Sequence, residues 1–194
     1  MKKKIVLAST SPYRAELLRR LRIDFVAARP DADETPHVGE MPSQTALRLS
    51  VAKARSIAST FPDSLIIGSD QVADLARQPI GKPGTLAMAR EQLHDMRGRT
   101  LVFHSGLALV DSASGETRSA VVPTTVRFRD YTDHEIERYL ELEPALDCAG
   151  SAKSEGLGIA LIAAMQSDDP TALVGLPLIA LTDMLQKQGV GILR

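Results

Sequence analysis

Three things are scarce in this sequence: cysteine, net charge and long apolar runs. The single cysteine, Cys148, excludes an internal disulfide framework and is typical of a reducing compartment. We expect its side chain to be a small buried apolar group rather than a nucleophile. The formal net charge of −1 indicates no global attraction to nucleic acid or to an anionic membrane.

No apolar segment approaches the length of a membrane span. The apolar stretch after Lys4 ends at Ser9, which is too short for the core of a signal peptide. We therefore expect a cytoplasmic protein that has neither nucleic acid nor a membrane as a partner. A homodimer is an assembly that the sequence leaves open.

The order of the predicted elements indicates an α/β fold. A chain of 194 residues can bury a full core, so we expect a single domain over residues 1–194. Apolar periodicity and turn residues place the elements as follows. Strands are predicted at 4–8, 23–28, 65–72, 100–111 and 117–129, and helices at 12–21, 43–61, 85–96, from 132 onward and between 177 and 189.

Several common chemistries lack their signatures here. The four histidines show no metal-ligand spacing, and no Walker-type loop with Gly-Lys-Ser/Thr is present. Gly156-Leu157-Gly158 is too short for a dinucleotide fingerprint, and serine hydrolase motifs are absent.

The junction after the first strand has the parts of an anion site. Ser11 is placed to cap the next helix, and Pro12 suits its first turn. Free amide hydrogens and the helix dipole would then face an anion, with the hydroxyl of Ser9 and the forked cation of Arg14 beside them. An ordinary capped helix with solvated polar residues explains this segment equally well.

Two acids and two lysines also stand out. Asp70 interrupts an apolar strand, where a metal or nearby cations would make a buried carboxylate tolerable, and we favour a functional role for it. Glu34 by itself fits a solvated acidic loop. Lys53 lies beside the apolar stripe of its helix and Lys82 lies between Gly81 and Pro83, and each by itself is expected on the surface.

Six short sequence motifs follow one another between the first predicted strand and the last predicted helix. They are Leu-Ala-Ser-x-Ser-Pro-x-Arg at 7–14, Asp-Glu-Thr-Pro at 33–36, Lys-Ala at 53–54, Gly-Ser-Asp-x-Val at 68–72, Gly-Lys-Pro at 81–83 and Val-Gly-Leu-Pro at 174–177. Each is weak alone, but together they resemble the Maf family of nucleoside triphosphate pyrophosphatases. The resemblance implies an elongated mixed sheet flanked by helices, with two lobes around a central cleft, and cleavage between the α and β phosphates.

The resemblance also implies roles for individual residues. Asp70 and Glu34 would be the acids that orient water and hold a divalent cation, Mg²⁺ or Mn²⁺. The phosphates of a nucleoside triphosphate substrate would be held by Ser9, Arg14, Lys53 and Lys82. Asp70, Glu34, Lys53 and Lys82 form the implied catalytic set.

Three positions depart from the commonest family pattern, which has Arg, Thr and Gln where this chain has Tyr13, Gln71 and Glu155. These residues resemble the subfamily that acts on 7-methyl-GTP. An aromatic ring attracts the cationic N7-methylguanine, and a carboxylate accepts from its N1 and N2 hydrogens. Two alternatives stay open: a dTTP/UTP pyrophosphatase of the same fold, and a non-catalytic nucleotide-binding regulator of septum formation.

Overall fold

The structure, a computed structural model, describes residues 3–193 as a mixed α/β fold. The strands and helices alternate along most of this part of the chain. They are Lys4–Ala8 (β1), Pro12–Arg19 (α1), Val26–Ala28 (β2), Pro42–Ser56 (α2), Ser64–Leu75 (β3), Gln78–Ile80 (β4), Leu86–Met96 (α3), Thr100–Asp111 (β5), Thr117–Phe128 (β6), Asp133–Leu142 (α4), Ile162–Gln166 (β7) and Leu178–Lys187 (α5).

The seven strands form one sheet in the order β2-β1-β3-β5-β6-β7, with β4 paired to β3. Strand β1 runs parallel to both β2 and β3, and Ala8 lies opposite Gly68 in the β1–β3 register. The β3–β4 and β6–β7 pairs are antiparallel. The sheet is therefore mixed, as the sequence predicts.

The described residues divide into two compact units, and β3, β5 and β6 each contribute to both. The first unit contains the chain up to Gln71, residues 105–122 and the chain from Asp169 onward. Strands β1 and β3 are buried on both faces here, because Leu7 and Ile67 join one apolar cluster while Val6 and Ile66 join another. This double burial explains the continuous apolar runs of β1 and β3.

The second unit contains residues 72–104 and 123–168. Helices α3 and α4 pack against each other through apolar residues that include Leu93 and Ile136. The Tyr131 hydroxyl donates to the Leu93 carbonyl at 2.8 Å, which satisfies a polar group that would be costly to bury alone. The expectation of a single domain over 1–194 stays a prediction.

Most predicted elements are confirmed, and the differences have local causes. Helix α2 ends at Ser56 rather than near residue 61, where the Ser56 hydroxyl donates to the Lys53 carbonyl and competes with the backbone hydrogen bonds of the helix. The predicted break at 79–84 begins with the short strand β4, and β7 was not predicted from the sequence. Thr132 and Glu135 form the predicted capping box of α4. No helix within residues 3–193 has the length and apolar character needed to cross a membrane.

Candidate active site

Helix α2 lies unusually close to the sheet because two glycines face it. A Cβ on Gly68 would overlap the Ser50 carbonyl oxygen and come within 2.8 Å of the Ala54 amide nitrogen. On β5, a Cβ on Gly106 would overlap the carbonyl of Ala46. The fully buried face of α2 therefore consists largely of small residues. Of the predicted stripe, Ala54 is fully buried, Val51 and Ala58 are partly buried against the same apolar cluster, and Leu47 lies outside that cluster.

This close packing buries Lys53, against the expectation of a surface lysine. Lys53 is 6% exposed, and its ammonium lies 2.6 Å from an Asp70 carboxylate oxygen and 3.0 Å from one of Glu34. Asp70 follows Gly68 on β3 and is itself 7% exposed, whereas the Glu34 side chain is 62% exposed. One buried cation thus bridges two acids that are far apart in sequence.

The ion pair with Lys53 explains how an apolar strand tolerates Asp70. A buried carboxylate without a partner would be strongly destabilising, and the bridging ammonium removes that penalty. The other carboxylate oxygen of Asp70, Oδ2, accepts no hydrogen bond from the described residues. Asp70 therefore has an acceptor left to offer to a ligand or a water molecule.

The loop that carries Glu34 is fastened to α2 by Arg48. The guanidinium of Arg48 makes two 2.7 Å hydrogen bonds to the Glu40 carboxylate, and it also donates to the Thr35 carbonyl at 3.1 Å. Glu40 accepts further hydrogen bonds from the His37 amide and the Thr45 hydroxyl. Its contact with Arg48 is the largest cause that lowers the pKa of Glu40 to about 2.

The junction after β1 has the predicted geometry of a capped helix. The Ser11 side chain accepts from the Arg14 amide at 3.4 Å, and Pro12 occupies the first position of α1. The Ser11 amide in turn donates to the Ser9 hydroxyl at 3.1 Å, and Ser9 is buried. The cap prediction is confirmed, and Ser9 directly follows the residue that pairs with Gly68.

Arg14 is half-buried, and its guanidinium interacts electrostatically with Asp70 and Glu34. Its Nε donates to the Gly175 carbonyl at 2.9 Å, while neither of its two Nη nitrogens donates a hydrogen bond to a described residue. Burial lowers the pKa of the guanidinium, and the charges of Asp70 and Glu34 oppose that shift. Within the first unit, the fold therefore brings Arg14, Glu34, Lys53 and Asp70 into one electrostatic cluster.

Two residues of the predicted base-selecting set also lie in the first unit. The Gln71 side-chain amide nitrogen donates to the carbonyls of Ala172 and Leu173 and to the Ser105 hydroxyl, at 3.1, 2.9 and 3.0 Å. Because carbonyls only accept, this contact fixes which way the Gln71 amide is turned. Tyr13 is the half-buried second residue of α1.

Lys82 and Glu155 belong to the second unit, and both are exposed. Lys82 lies in the loop between β4 and α3, where the carbonyl of Gly81 accepts from the Gln92 side chain at 3.1 Å. Glu155 accepts from the Ser154 hydroxyl at 3.2 Å. Cys148, also in this unit, is half-buried, and burial is the largest cause that raises the pKa of its thiol to about 12, so it is not a thiolate nucleophile.

Comparison with known proteins places this site in a family. A family model described as Maf-like protein matches residues 4–188. The chain belongs to the Maf family. It is 60% identical over 96% of its length to a 7-methyl-GTP pyrophosphatase of Cupriavidus pinatubonensis, with 94% of that protein covered. It is 57% identical to one of Methylobacillus flagellatus, over 97% of this chain and 98% of the relative. A Bordetella pertussis relative of the same name is 56% identical, with 96% and 93% covered.

Within this Maf chain, three supporting residues escaped the sequence analysis. Gly68 has no side chain and so leaves room for α2 against the sheet. The Gly175 carbonyl accepts hydrogen bonds from the Ser69 hydroxyl and from the Arg14 Nε. All three lie inside the motifs Gly-Ser-Asp-x-Val and Val-Gly-Leu-Pro. Their place inside these motifs was therefore a signal, but the sequence did not say what each small residue contacts.

The acids of this Maf chain fit a divalent cation that arrives with its own oxygen ligands. No group of three or more His, Cys, Asp or Glu residues in the described part of the chain is arranged to hold a metal ion. Glu34 and Asp70 nevertheless contact the same ammonium, so their oxygens already share one cation. Mg²⁺ is commonly held by one or two carboxylates plus substrate phosphates, and the carboxylates of Glu34 and Asp70 fit this type of coordination.

Proposed function

We propose that this chain hydrolyses 7-methyl-GTP to 7-methyl-GMP and pyrophosphate. The observation that carries the proposal is the shared name of its curated relatives, 7-methyl-GTP pyrophosphatase, at 56–60% identity over nearly the whole of each chain. The cluster of two acids and two cations in the first unit supports it, because a polyphosphate needs cations and an attacking water needs an acceptor.

In the proposed reaction a water oxygen attacks the α phosphorus. The new phosphorus–oxygen bond forms as the bond to the α–β bridging oxygen breaks, and pyrophosphate leaves with the electron pair. Asp70 orients the water and takes its proton through Oδ2, the carboxylate oxygen that accepts no hydrogen bond from residues 3–193. The proton ends in solvent, which regenerates the carboxylate for the next turnover.

The cations act on the charge that develops on the phosphates. Arg14 presents two Nη groups that donate to none of the residues the structure describes, and Lys53 presents an ammonium. We propose that Ser9 and Lys82 also hold phosphate oxygens. Loss of one such donor costs about 3 kcal/mol of transition-state stabilisation, by analogy with an oxyanion-hole donor. A divalent cation, Mg²⁺ or Mn²⁺, held by Glu34 and Asp70, would neutralise phosphate charge when bound.

We further propose that Tyr13, Gln71 and Glu155 select the base. Tyr13 follows the Ser11 cap by two residues and directly precedes Arg14, and a cationic base favours an aromatic face. A cation–π contact is worth roughly 0.5–2 kcal/mol, which corresponds to about a 2- to 30-fold preference for the methylated base. The Glu155 carboxylate would supply the remaining preference by accepting from the guanine edge.

A substrate panel tests the proposal. We expect pyrophosphate release with the highest kcat/KM for 7-methyl-GTP among 7-methyl-GTP, GTP, dTTP and UTP, and no release in excess EDTA. Asp70→Asn is expected to lower kcat by about 10²- to 10⁴-fold, because the water loses its acceptor. Asp183→Asn, an exposed acid on α5, is the matched control and should keep full activity.

The possible results separate the alternatives. A higher kcat/KM for dTTP or UTP would contradict the substrate while keeping the reaction. Nucleotide binding without any pyrophosphate release would favour the regulator. A folded Asp70→Asn protein with full turnover would remove Asp70 from the mechanism.

A further inference from the structure

We propose that Ser69 is a positioning residue that acts through Arg14. The two side chains donate to the same acceptor, the carbonyl oxygen of Gly175. This inference rests on the proposed function, in which Arg14 holds phosphate oxygens. Ser69 is fully buried, so it would contribute to phosphate binding only through Arg14.

The first step concerns how Gly175 is held. The Ser69 hydroxyl lies 2.8 Å from the Gly175 carbonyl and 2.8 Å from the Gly106 carbonyl. Gly106 belongs to strand β5, and Ser69 to strand β3, so both are parts of the sheet. The single proton of the hydroxyl serves one of these carbonyls at a time, and the hydrogen bond to the Gly175 carbonyl ties the loop that contains Gly175 to strand β3.

The second step concerns the backbone at Gly175. Its φ of +112° lies in a region that L side chains rarely adopt, and a Cβ there would lie 3.4 Å from the Arg14 Nε. The Gly175 amide also closes a turn by donating to the Ala172 carbonyl at 2.9 Å. The glycine thus aims its carbonyl at Arg14 and leaves room for the guanidinium.

The third step concerns what the contact does to Arg14. A guanidinium is a planar fork, so fixing Nε at Gly175 also fixes the plane in which both Nη groups lie. The negative charges of Asp70 and Glu34 attract the same guanidinium. Without the anchor, Arg14 would turn toward these carboxylates, and an incoming phosphate would have to displace it from them.

A double-mutant cycle tests whether Ser69 acts through Arg14. We expect Ser69→Ala to lower kcat/KM for 7-methyl-GTP by about 10-fold, which corresponds to ~1.4 kcal/mol. In an Arg14→Ala background the same change should have less than about a 2-fold effect, because no guanidinium remains to be oriented. Affinity for inorganic pyrophosphate, measured by calorimetry on the same four proteins, should follow the same pattern.

The matched control is Ser50→Ala. Ser50 is likewise fully buried and donates its hydroxyl to a backbone carbonyl, that of Leu47, at 2.7 Å, but it has no contact with Gly175. It should change kcat/KM by less than about 2-fold. If Ser69→Ala does not fold, Ser69→Cys takes its place, since a thiol keeps the shape and is a weak donor.

If Ser69→Ala lowers kcat/KM and pyrophosphate affinity by the same factor in the presence and in the absence of Arg14, the proposal is overturned and Ser69 is a purely structural residue. Pyrophosphate that does not bind to the wild-type protein would overturn it as well. If no nucleotide is hydrolysed, the proposed function fails, but the pyrophosphate affinities still decide the role of Ser69.

Discussion

Lys53 combines burial, charge and two acidic neighbours in one side chain. Removing its ammonium would leave Asp70 buried without a counter-charge, which is costlier than losing an exposed ion pair. We therefore expect Lys53→Met to lower the free energy of unfolding by about 3 kcal/mol. Urea denaturation at neutral pH measures this loss.

Two further variants give this experiment its control. Lys53→Met combined with Asp70→Asn should recover part of the lost stability, because no uncompensated carboxylate remains. Lys187→Met, at an exposed position in the last turn of α5, should change stability by less than about 0.5 kcal/mol. A Lys53→Met protein as stable as Lys187→Met would show that the bridge contributes nothing to folding.

The environment of Asp70 can be predicted from its own strand, whereas the burial of Lys53 cannot be predicted from its own helix. A carboxylate inside an apolar strand can be recognised as anomalous from the strand alone, and Asp70 is indeed buried against a cation. The burial of Lys53 depends on Gly68 and Gly106, which lie on other elements. Helical periodicity contains no information about what faces a helix, so the lysine was expected in solvent.

At the scale of elements, the packing of α2 on the sheet depends on the missing side chain at Gly68. Gly68→Ala would place a Cβ on the backbone of Ser50 and Ala54, which cannot move without shifting the helix. We expect a loss of about 3 kcal/mol of unfolding free energy, at the upper end for overpacking. Activity should fall as well, since α2 carries Lys53.

Gly81→Ala is the control for stability. A Cβ on Gly81 would meet nothing within 4 Å. Its unfolding free energy should stay within about 0.5 kcal/mol of the wild type. Because Lys82 follows it, this control is compared by denaturation and not by turnover. Equal stability of the two alanine variants would contradict the close-packing account.

Element prediction succeeded where the pattern is local. The capping residues of α1 and α4 and the turn between β5 and β6 follow from neighbouring residues alone, and the structure has all three. Strand β7 was missed because its pairing with β6 is long-range and its exposed residues give no alternating pattern. The family resemblance predicted the set of site residues, but it could not supply the contacts among them.

For the molecule as a whole, Glu40 links stability to pH. Its pKa in the folded state is about 2 against an ordinary value of 4.5, so the folded state favours the ionised form. The resulting stabilisation is fully present above about pH 4.5 and is lost as the pH falls toward 2. We expect Glu40→Gln to be less stable than the wild type by about 1–2 kcal/mol at neutral pH.

The difference between the two proteins should shrink steadily when urea unfolding is repeated from about pH 5 down to about pH 2.5. Glu16→Gln removes an exposed carboxylate paired with Arg19 and serves as the comparison, with an expected effect of less than about 0.5 kcal/mol. If the loss of unfolding free energy in Glu40→Gln does not change with pH, the charge of Glu40 does not contribute to the stability, and side-chain packing accounts for the loss.

The bridge between Lys53, Asp70 and Glu34 also determines the charge balance of the resting site. Together with Arg14, these groups carry two positive and two negative charges, so the cluster is electroneutral before any ligand arrives. A bare polyanion would gain little from entering it, because the two acids already balance the two positive charges of the cluster. We therefore expect the site to discriminate against triphosphates that arrive without an accompanying cation.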